Sequence, residues 1–280
     1  MHSSSCPSCG NEVPLSRELC PHCGHQGPPP NVKAASTIEE RQALDRRYQA
    51  AVQEAEARGA GKAVEALEVA LRESKAVTAR SFRELDRLAS SDKEIFSTYY
   101  NLVRADVRLP HGNDWDELRS VADEKLFPFY KDQIRFAALS LDGAGLPHYG
   151  EASFVFRESM IAHRASVYEE NSALFLKRHA YQPPPGHRAT WAERAKLAVA
   201  KLAGEVDAVA TAERFADLLL GAGAASAEDD RFVEVHIWGP LSIRTVERAL
   251  LTGSRKGQRS ARKAVRDCLK YVGLTLEEIS

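Results

Sequence analysis

Four of the five cysteines lie within the first 23 residues, in two pairs of the form Cys-x-x-Cys. The pairs are Cys6 with Cys9 and Cys20 with Cys23, and a glycine follows each pair. Thiolates are soft ligands, and two such pairs supply the tetrahedral set that Zn²⁺ prefers. A following glycine permits the left-handed turn that aims backbone amides at sulfur. The spacing therefore predicts a structural zinc site, closed by four thiolates.

Residues 1–30, which end in the run "GHQGPPP", resemble a zinc ribbon. His22 and His25 lie beside the cysteines and are expected to be bystanders, with replacement of one thiolate by a histidine as the alternative. Such a ribbon has three possible roles: docking to a partner, docking to nucleic acid, and independent folding as a small module. The fifth cysteine, Cys268, stands alone in a helical pattern, where it is expected to be a buried helix residue.

A single carboxylate interrupts the apolar run "RFVEVHIWGPLSI" at residues 231–243. A buried charge is costly unless it is paired or its pKa is shifted, and such a shift is typical of functional sites. Strand alternation puts Phe232, Glu234 and His236 on one face and the apolar residues between and after them on the other. The pattern predicts a core face opposite a cleft face, with Glu234 on the cleft side.

The elements before this strand read as helices. Thr37 and Glu40 have the Thr-x-x-Glu spacing of a capping box, which opens a helix over about residues 37–58. After the glycine break at 59–62 a second amphipathic run continues towards Leu88, and a third helix is predicted over about 93–107. We expect residues 31–112 to form a helical hairpin that serves as a spacer or an oligomerisation element.

From residue 113 the pattern changes to a mixed one. "DWDELRSVADEKL" is helical, and the short runs "IRFAALSLD", "EASFVF", "HRASVY" and "FVEVHIWG" read as strands bounded by Gly, Pro and Asp. A helical insertion lies between the third and fourth strands. The predicted fold class is therefore α+β, with residues 113–280 as one mixed domain.

Three blocks of residues 133–250 resemble the ADP-ribosyltransferase toxin-like domains. They are the turn "LPHYG" at 146–150, the segment "HRASVYEENS" at 163–172, and the strand "EVHIWGP" that begins at Glu234. The resemblance implies a mixed ADP-ribosyltransferase-like β-core. It also implies cleavage of NAD⁺ at the nicotinamide glycosidic bond and transfer of ADP-ribose to a macromolecular target.

The resemblance assigns a role to each matching residue. Glu234 would be the catalytic carboxylate, because positive charge develops on the ribose during cleavage. An aromatic ring would stack on nicotinamide, two serines would brace the carboxylate and the ribose, and Arg135, or else His148, would meet the dinucleotide. The cofactor-binding residues implied are Arg135, Tyr149, Ser166, Tyr168, Ser172 and His236.

Several properties stay open. Phe232 stands where many arginine-modifying members have Glu or Gln, which argues against arginine as the acceptor. Arginine, another side chain, a nucleotide base and water all stay open as acceptors of ADP-ribose. A toxin with an antitoxin and a homo-oligomer are both compatible with the sequence. The alternative function is a non-catalytic zinc-ribbon module that binds nucleic acid or protein, and the basic segment at 253–270 could follow phosphates.

Composition sets the class of protein. The 280 residues carry a formal net charge of −1, and no stretch approaches 18 uninterrupted apolar residues. The first ten residues lack the basic and apolar regions of a signal peptide. We therefore expect a soluble cytoplasmic protein without a membrane partner.

Overall fold

One eight-stranded sheet organises the chain. The computed structural model describes residues 3–14, 17–98, 100, 114–221, 230–252 and 259–279. A separate two-stranded antiparallel sheet joins β1 (Ser3–Ser5) to β2 (Glu12–Pro14). The large sheet has the order β10-β9-β5-β3-β4-β8-β6-β7, in which β9 and β10 are parallel and the other neighbours antiparallel. Its strands are β3 (Lys75–Arg80), β4 (Ile134–Ser140), β5 (Ala152–Phe156), β6 (Ala165–Tyr168), β7 (Arg188–Thr190), β8 (Glu234–Trp238), β9 (Val246–Thr252) and β10 (Thr275–Ile279).

Helices cover both faces of this sheet. They are α1 (Pro30–Ala35), α2 (Ile38–Ala57), α3 (Gly61–Arg72), α4 (Phe82–Ser90), α5 (Asp114–Leu126), α6 (Glu158–Ile161), α7 (Ser172–Arg178), α8 (Arg194–Leu202), α9 (Ala212–Leu220) and α10 (Arg259–Tyr271). One face packs against α2, α3 and α8 around buried residues such as Leu139, Phe154 and Val235. The other face carries α5 and α7, with a smaller core that includes Phe127 and Tyr168. The α+β class predicted from the sequence is confirmed.

The helix predicted to start at Thr37 is confirmed, and its first turn shows how the capping residues act. Thr37 accepts a hydrogen bond from the amide of Glu40 at 3.3 Å. The Glu40 carboxylate does not return to the cap, as a capping box would require. It accepts instead from the amide of Gly186 and from Arg188, both at 2.6 Å. Glu40 therefore joins α2 to the segment that leads into β7.

The predicted helical spacer is wrong in one important respect. Residues 75–80, expected to continue a helix, form β3 between β4 and β5 near the middle of the sheet. Ala76, Val77, Thr78 and Ala79 are all buried, because the strand is covered on both faces and therefore shows no polar alternation. The region at 31–112 thus contributes a strand to the sheet whose other strands all come from 113–280.

The third predicted helix is not formed over residues 93–98, whereas Tyr100 is helical. Residues 93–98 are not helical, and Ile95 makes an isolated bridge to Ser242. Residues 99 and 101–107 of the predicted helix lie outside the described residues. The helix at 114–126 and the four strands predicted after it are confirmed, whereas β7, β9 and β10 were not predicted. No helix in the described ranges is both long and apolar enough to cross a membrane.

Candidate functional site

Folding brings residues together at two candidate sites, and the first is the cysteine cluster. The sulfurs of Cys6, Cys9, Cys20 and Cys23 lie within 4.8 Å of one another. The Cys6–Cys23 and Cys9–Cys20 separations are 3.6 and 3.7 Å. Four sulfurs at about 2.3 Å from a tetrahedral Zn²⁺ are about 3.8 Å apart, whereas a disulfide needs about 2.05 Å. The spacing fits one zinc ion, and the cysteines are not paired as disulfides.

Two matching turns create this cluster. The amide of Gly10 donates to the carbonyl of Cys6 at 2.8 Å, and that of Gly24 donates to Cys20 at 2.9 Å. Both glycines have φ near +70°, as the sequence predicts, at 73° and 71°. Burial opposes ionisation of Cys6, but backbone amides of Cys9 and Ser8 lower the pKa of its thiol to about 6. At Cys23 the amide of His25 lowers the pKa of the thiol, but the Cys9 sulfur and burial outweigh it and raise that pKa to about 11, so ionisation is favoured at Cys6 and opposed at Cys23.

The second site is a cavity of about 180 Å³ where β3 and β4 separate. Pairing of these strands ends at Val77 and Ala138, although β3 continues beside β5 to Arg80 and β4 continues beside β8 to Ile134. The cavity opens in the resulting gap, below α5. It is lined by Val77, Thr78, Ala79, Arg80, Trp115, Arg119, Phe136, Ala137, Ala138, Leu146, Tyr149, Phe232 and Glu234.

Glu234 is the buried charge of this cavity, with 2 % of its surface exposed. Its Oε1 accepts from Nη1 of Arg119 at 2.8 Å, and its Oε2 accepts from the amide of Ser172 at 3.0 Å and lies 2.9 Å from Nε2 of His236. Burial alone would favour the neutral acid, but the Arg119 charge and the His236 contact outweigh it and lower the pKa of Glu234 to about 2. Glu234 is therefore ionised.

Arg119 links two carboxylates. Its Nε lies 3.0 Å from Oδ1 of Asp123, one helical turn further along α5, and its guanidinium carbon lies 3.8 Å above the ring of Phe136. Tyr100 donates a hydrogen bond to Oδ2 of Asp123 at 2.8 Å. Burial raises the pKa of Asp123, although Arg119 and Tyr100 oppose that rise. The second terminal nitrogen of Arg119, Nη2, is buried and has no hydrogen-bond partner.

Four of the predicted cofactor-binding residues lie around Glu234 or the cavity. Tyr168 is the register partner of Glu234 across β6 and β8, and its hydroxyl is buried without a partner. The Oγ of Ser172 is likewise buried without a partner, and the His236 ring packs edge-on against Phe136. Tyr149 lines the cavity and donates to Asp230 at 2.6 Å. Two residues that neighbour Glu234, Tyr168 by strand register and Ser172 by its backbone amide, therefore carry buried hydroxyls without a hydrogen-bond partner.

The other two predicted residues are placed elsewhere. Arg135 is the register partner of Ile237, so strand alternation puts it on the face opposite Glu234. Its Nη1 donates to the carbonyl of Gln133 at 3.0 Å. Ser166 lies on the Glu234 face but two register pairs further along, where its Oγ accepts from Asn31 at 3.2 Å. His148, the alternative to Arg135, lies 3.0 Å from Asp230.

Sequence reasoning missed the residues of α5. Trp115 and Arg119 line the cavity, and Asp123 contacts Arg119. The three are spaced four residues apart, which places them on one side of a helix. An aromatic, a cation and an acid on one face of the predicted helix was the available signal. That signal does not identify the partner of Arg119, because Glu234 is 115 residues away in sequence.

The basic helix α10 has less free charge than its composition indicates. Arg266 forms an ion pair with Glu278 of β10, and Arg262 lies 3.9 Å from the same carboxylate. Arg248 of β9 pairs with the neighbouring Glu277 at 3.0 Å. Acidic residues of β10, which the sequence reasoning did not place, therefore offset part of the basic face. Cys268 in this helix is exposed, so the expectation that it is buried is wrong.

The cavity combines aromatic residues with one carboxylate, Glu234, and two arginines, Arg80 and Arg119. Trp115 and Phe232 are aromatic residues of its wall. The Arg119 guanidinium covers one face of the Phe136 ring and pairs with the ionised carboxylate of Glu234. In a buried setting such a carboxylate acts strongly on developing charge. A scan of the chain against protein-family models finds no match, and no curated protein matches it.

Proposed function

We propose that this protein is an ADP-ribosyltransferase-like enzyme that cleaves NAD⁺ in the cavity between β3 and β4, with an N-terminal zinc ribbon at residues 1–30. The observation that carries the proposal is the ionised carboxylate of Glu234 in the wall of an aromatic-lined cavity. A carboxylate held in that form near a reacting ribose stabilises the oxocarbenium-like transition state of glycosidic cleavage.

The dimensions of the cavity support this substrate. An apolar cavity of about 150 Å³ accommodates a benzene-sized ring. The cavity here, at about 180 Å³, can therefore take the nicotinamide ring and leaves the rest of the dinucleotide outside. Nη2 of Arg119, buried without a partner, is a donor for an oxygen of the bound group.

The chemistry of the step follows from these groups. The bond between ribose C1′ and the nicotinamide nitrogen breaks, and its electron pair stays with nicotinamide. Glu234 stabilises the cationic ribose, and a lone pair of the acceptor then forms the new bond to C1′ while the acceptor's proton is released. The macromolecular acceptor would be selected by the zinc ribbon and the helices of 31–112, with an antitoxin as a further partner if the protein is a toxin.

Binding of NAD⁺ to the full chain tests the proposed site. Titration calorimetry with wild-type protein should show binding, and Trp115→Ala should weaken it because one wall of the cavity is lost. Phe129→Ala is the matched control, since Phe129 is 92 % exposed and does not line the cavity. Absence of binding to the folded wild-type protein, or equal binding by Trp115→Ala, would contradict the proposal.

A second candidate is a binding module without catalysis. It is favoured by the ion pair itself, because Arg119 at 2.8 Å neutralises the carboxylate that catalysis would use. Under this alternative NAD⁺ or another ligand binds, but no nicotinamide is released. Glu234→Gln separates the two, since loss of turnover with retained binding is expected only of the enzyme.

A further inference from the structure

Lys33 places a buried cation beside the cysteine cluster. It lies in α1, is 8 % exposed, and donates to the backbone carbonyl of Arg17. With Cys6 and Cys20 it lines a cleft of about 490 Å³ between the N-terminal residues and the start of α2. A buried ammonium is costly without negative charge nearby. Burial lowers the pKa of Lys33, and the charges of Glu18, Cys20 and Cys6 oppose that fall.

The same short helix is attached to the sheet. Asn31, 3 % exposed, donates from its side-chain amide to the carbonyl of Arg164 at 3.2 Å, to Oγ of Ser166 at 3.2 Å and to the carbonyl of His236 at 3.0 Å. Residues two apart on a helix do not face the same side. Lys33 therefore faces the cysteine cluster while Asn31 faces β6 and β8, and His236 contacts Glu234 directly.

We propose that Lys33 is the charge partner of a zinc–thiolate centre, and that α1 thereby couples zinc binding to the β6–β8 pair that carries Glu234. The proposal rests on the zinc site proposed above. Four thiolates around Zn²⁺ are formally a dianion, so a buried ammonium beside them stabilises the loaded centre. Chelation removes that charged centre, and α1 loses the attraction that holds it between the N-terminal module and the sheet.

Zinc affinity of the full-length protein tests the first half. In a chelator competition, Lys33→Met should bind zinc about 10- to 100-fold more weakly than wild type, the range found when groups that support metal ligands are removed. Lys33→Arg should retain most of the affinity because it keeps the charge. Lys62→Met, which removes an exposed lysine of α3, should match wild type.

The outcomes separate the two proposals. Wild-type protein that binds no zinc would overturn both the zinc site and the coupling. Wild-type protein that binds zinc with an affinity equal to that of Lys33→Met would overturn only the role of Lys33.

Hydrogen exchange tests the second half without any substitution. Removal of zinc from wild-type protein should speed amide exchange in β6 and β8, while β5 and β9 on the far side of β3 keep their protection. Zinc-loaded Asn31→Ala should show the same loss of protection in β6 and β8. The coupling would be overturned if amide exchange in β6 and β8 were unchanged after chelation. It would also be overturned if β5, β6, β8 and β9 all lost protection equally.

Discussion

Removal of Arg119 should destabilise the protein in a way that depends on pH. In the native protein the pKa of Glu234 falls from 4.5 to about 2, and at about 1.4 kcal/mol per pH unit this corresponds to about 3 kcal/mol. The main favourable cause is Arg119, which also pairs with Asp123 at 3.0 Å. Breaking a buried ion pair from one side costs about 3–5 kcal/mol. We therefore expect Arg119→Met to lose about that much unfolding free energy at pH 7.

The sign of the pH dependence follows from burial. In wild type the lowered pKa of Glu234 makes its contribution complete above about pH 4.5, and that contribution is lost as the pH falls towards 2. In Arg119→Met the Arg119 charge no longer opposes burial, so burial raises the pKa of both Glu234 and Asp123. Protonation of these carboxylates then favours the folded state. The stability gap between the two proteins should narrow as the pH falls from 7 to about 4.5.

Urea unfolding at both pH values measures this gap. Adding Glu234→Gln to Arg119→Met should recover part of the loss, because the variant then buries one unpaired carboxylate fewer. Arg72→Met is the control, since Arg72 forms an exposed pair with Glu68 and should change stability little at either pH. A gap that is the same at both pH values, or a double variant no more stable than Arg119→Met, would refute this account of the buried cluster.

Three further results are expected. Metal analysis should find one zinc per chain in wild-type protein, and Cys20→Ser should lose it because Cys20 is one of the four clustered sulfurs; zinc retained by the variant would contradict the assignment. Gly150→Ala should lower Tm, because φ is +146° and the added Cβ would lie 2.1 Å from the backbone of Arg80, whereas Gly204→Ala, with nothing within 4 Å, should leave Tm unchanged. Phe154→Ala should lower the free energy of unfolding, measured in urea, by about 3–5 kcal/mol, because Phe154 is fully buried and packs edge-on against Phe96 at 5.1 Å. A loss below about 1 kcal/mol would contradict this, because it would show that the core closes around the space left by the ring.

The sequence predicts those elements whose pattern is local. The strands β4, β5, β6 and β8 and the helices α2 and α5 carry their own periodicity and boundary residues. The strand β3 does not, because a strand buried on both faces has no alternation and its short run follows a helical pattern. The same limit applies to β7, whose three residues are too few to show a period.

The candidate site shows where local reasoning ends. Glu234 and Phe232 line one cavity, as their shared strand face implies. The partner of Glu234 is Arg119, which is set by how α5 packs on the sheet and has no signal near residue 234. The position of Arg135 depends on strand register, since a shift of one residue moves a side chain to the other face. Tertiary pairing and register are therefore what the sequence alone left undetermined.

Release of nicotinamide from NAD⁺ by purified, zinc-loaded protein in the presence of cell lysate tests the central claim most directly. Wild-type protein should release nicotinamide, and Glu234→Gln should release none although it stays folded and binds NAD⁺. Glu213→Gln, which changes an exposed glutamate of α9, should release it at the wild-type rate. No release by wild-type protein, or equal release by Glu234→Gln, would contradict the assignment of Glu234 as the catalytic carboxylate.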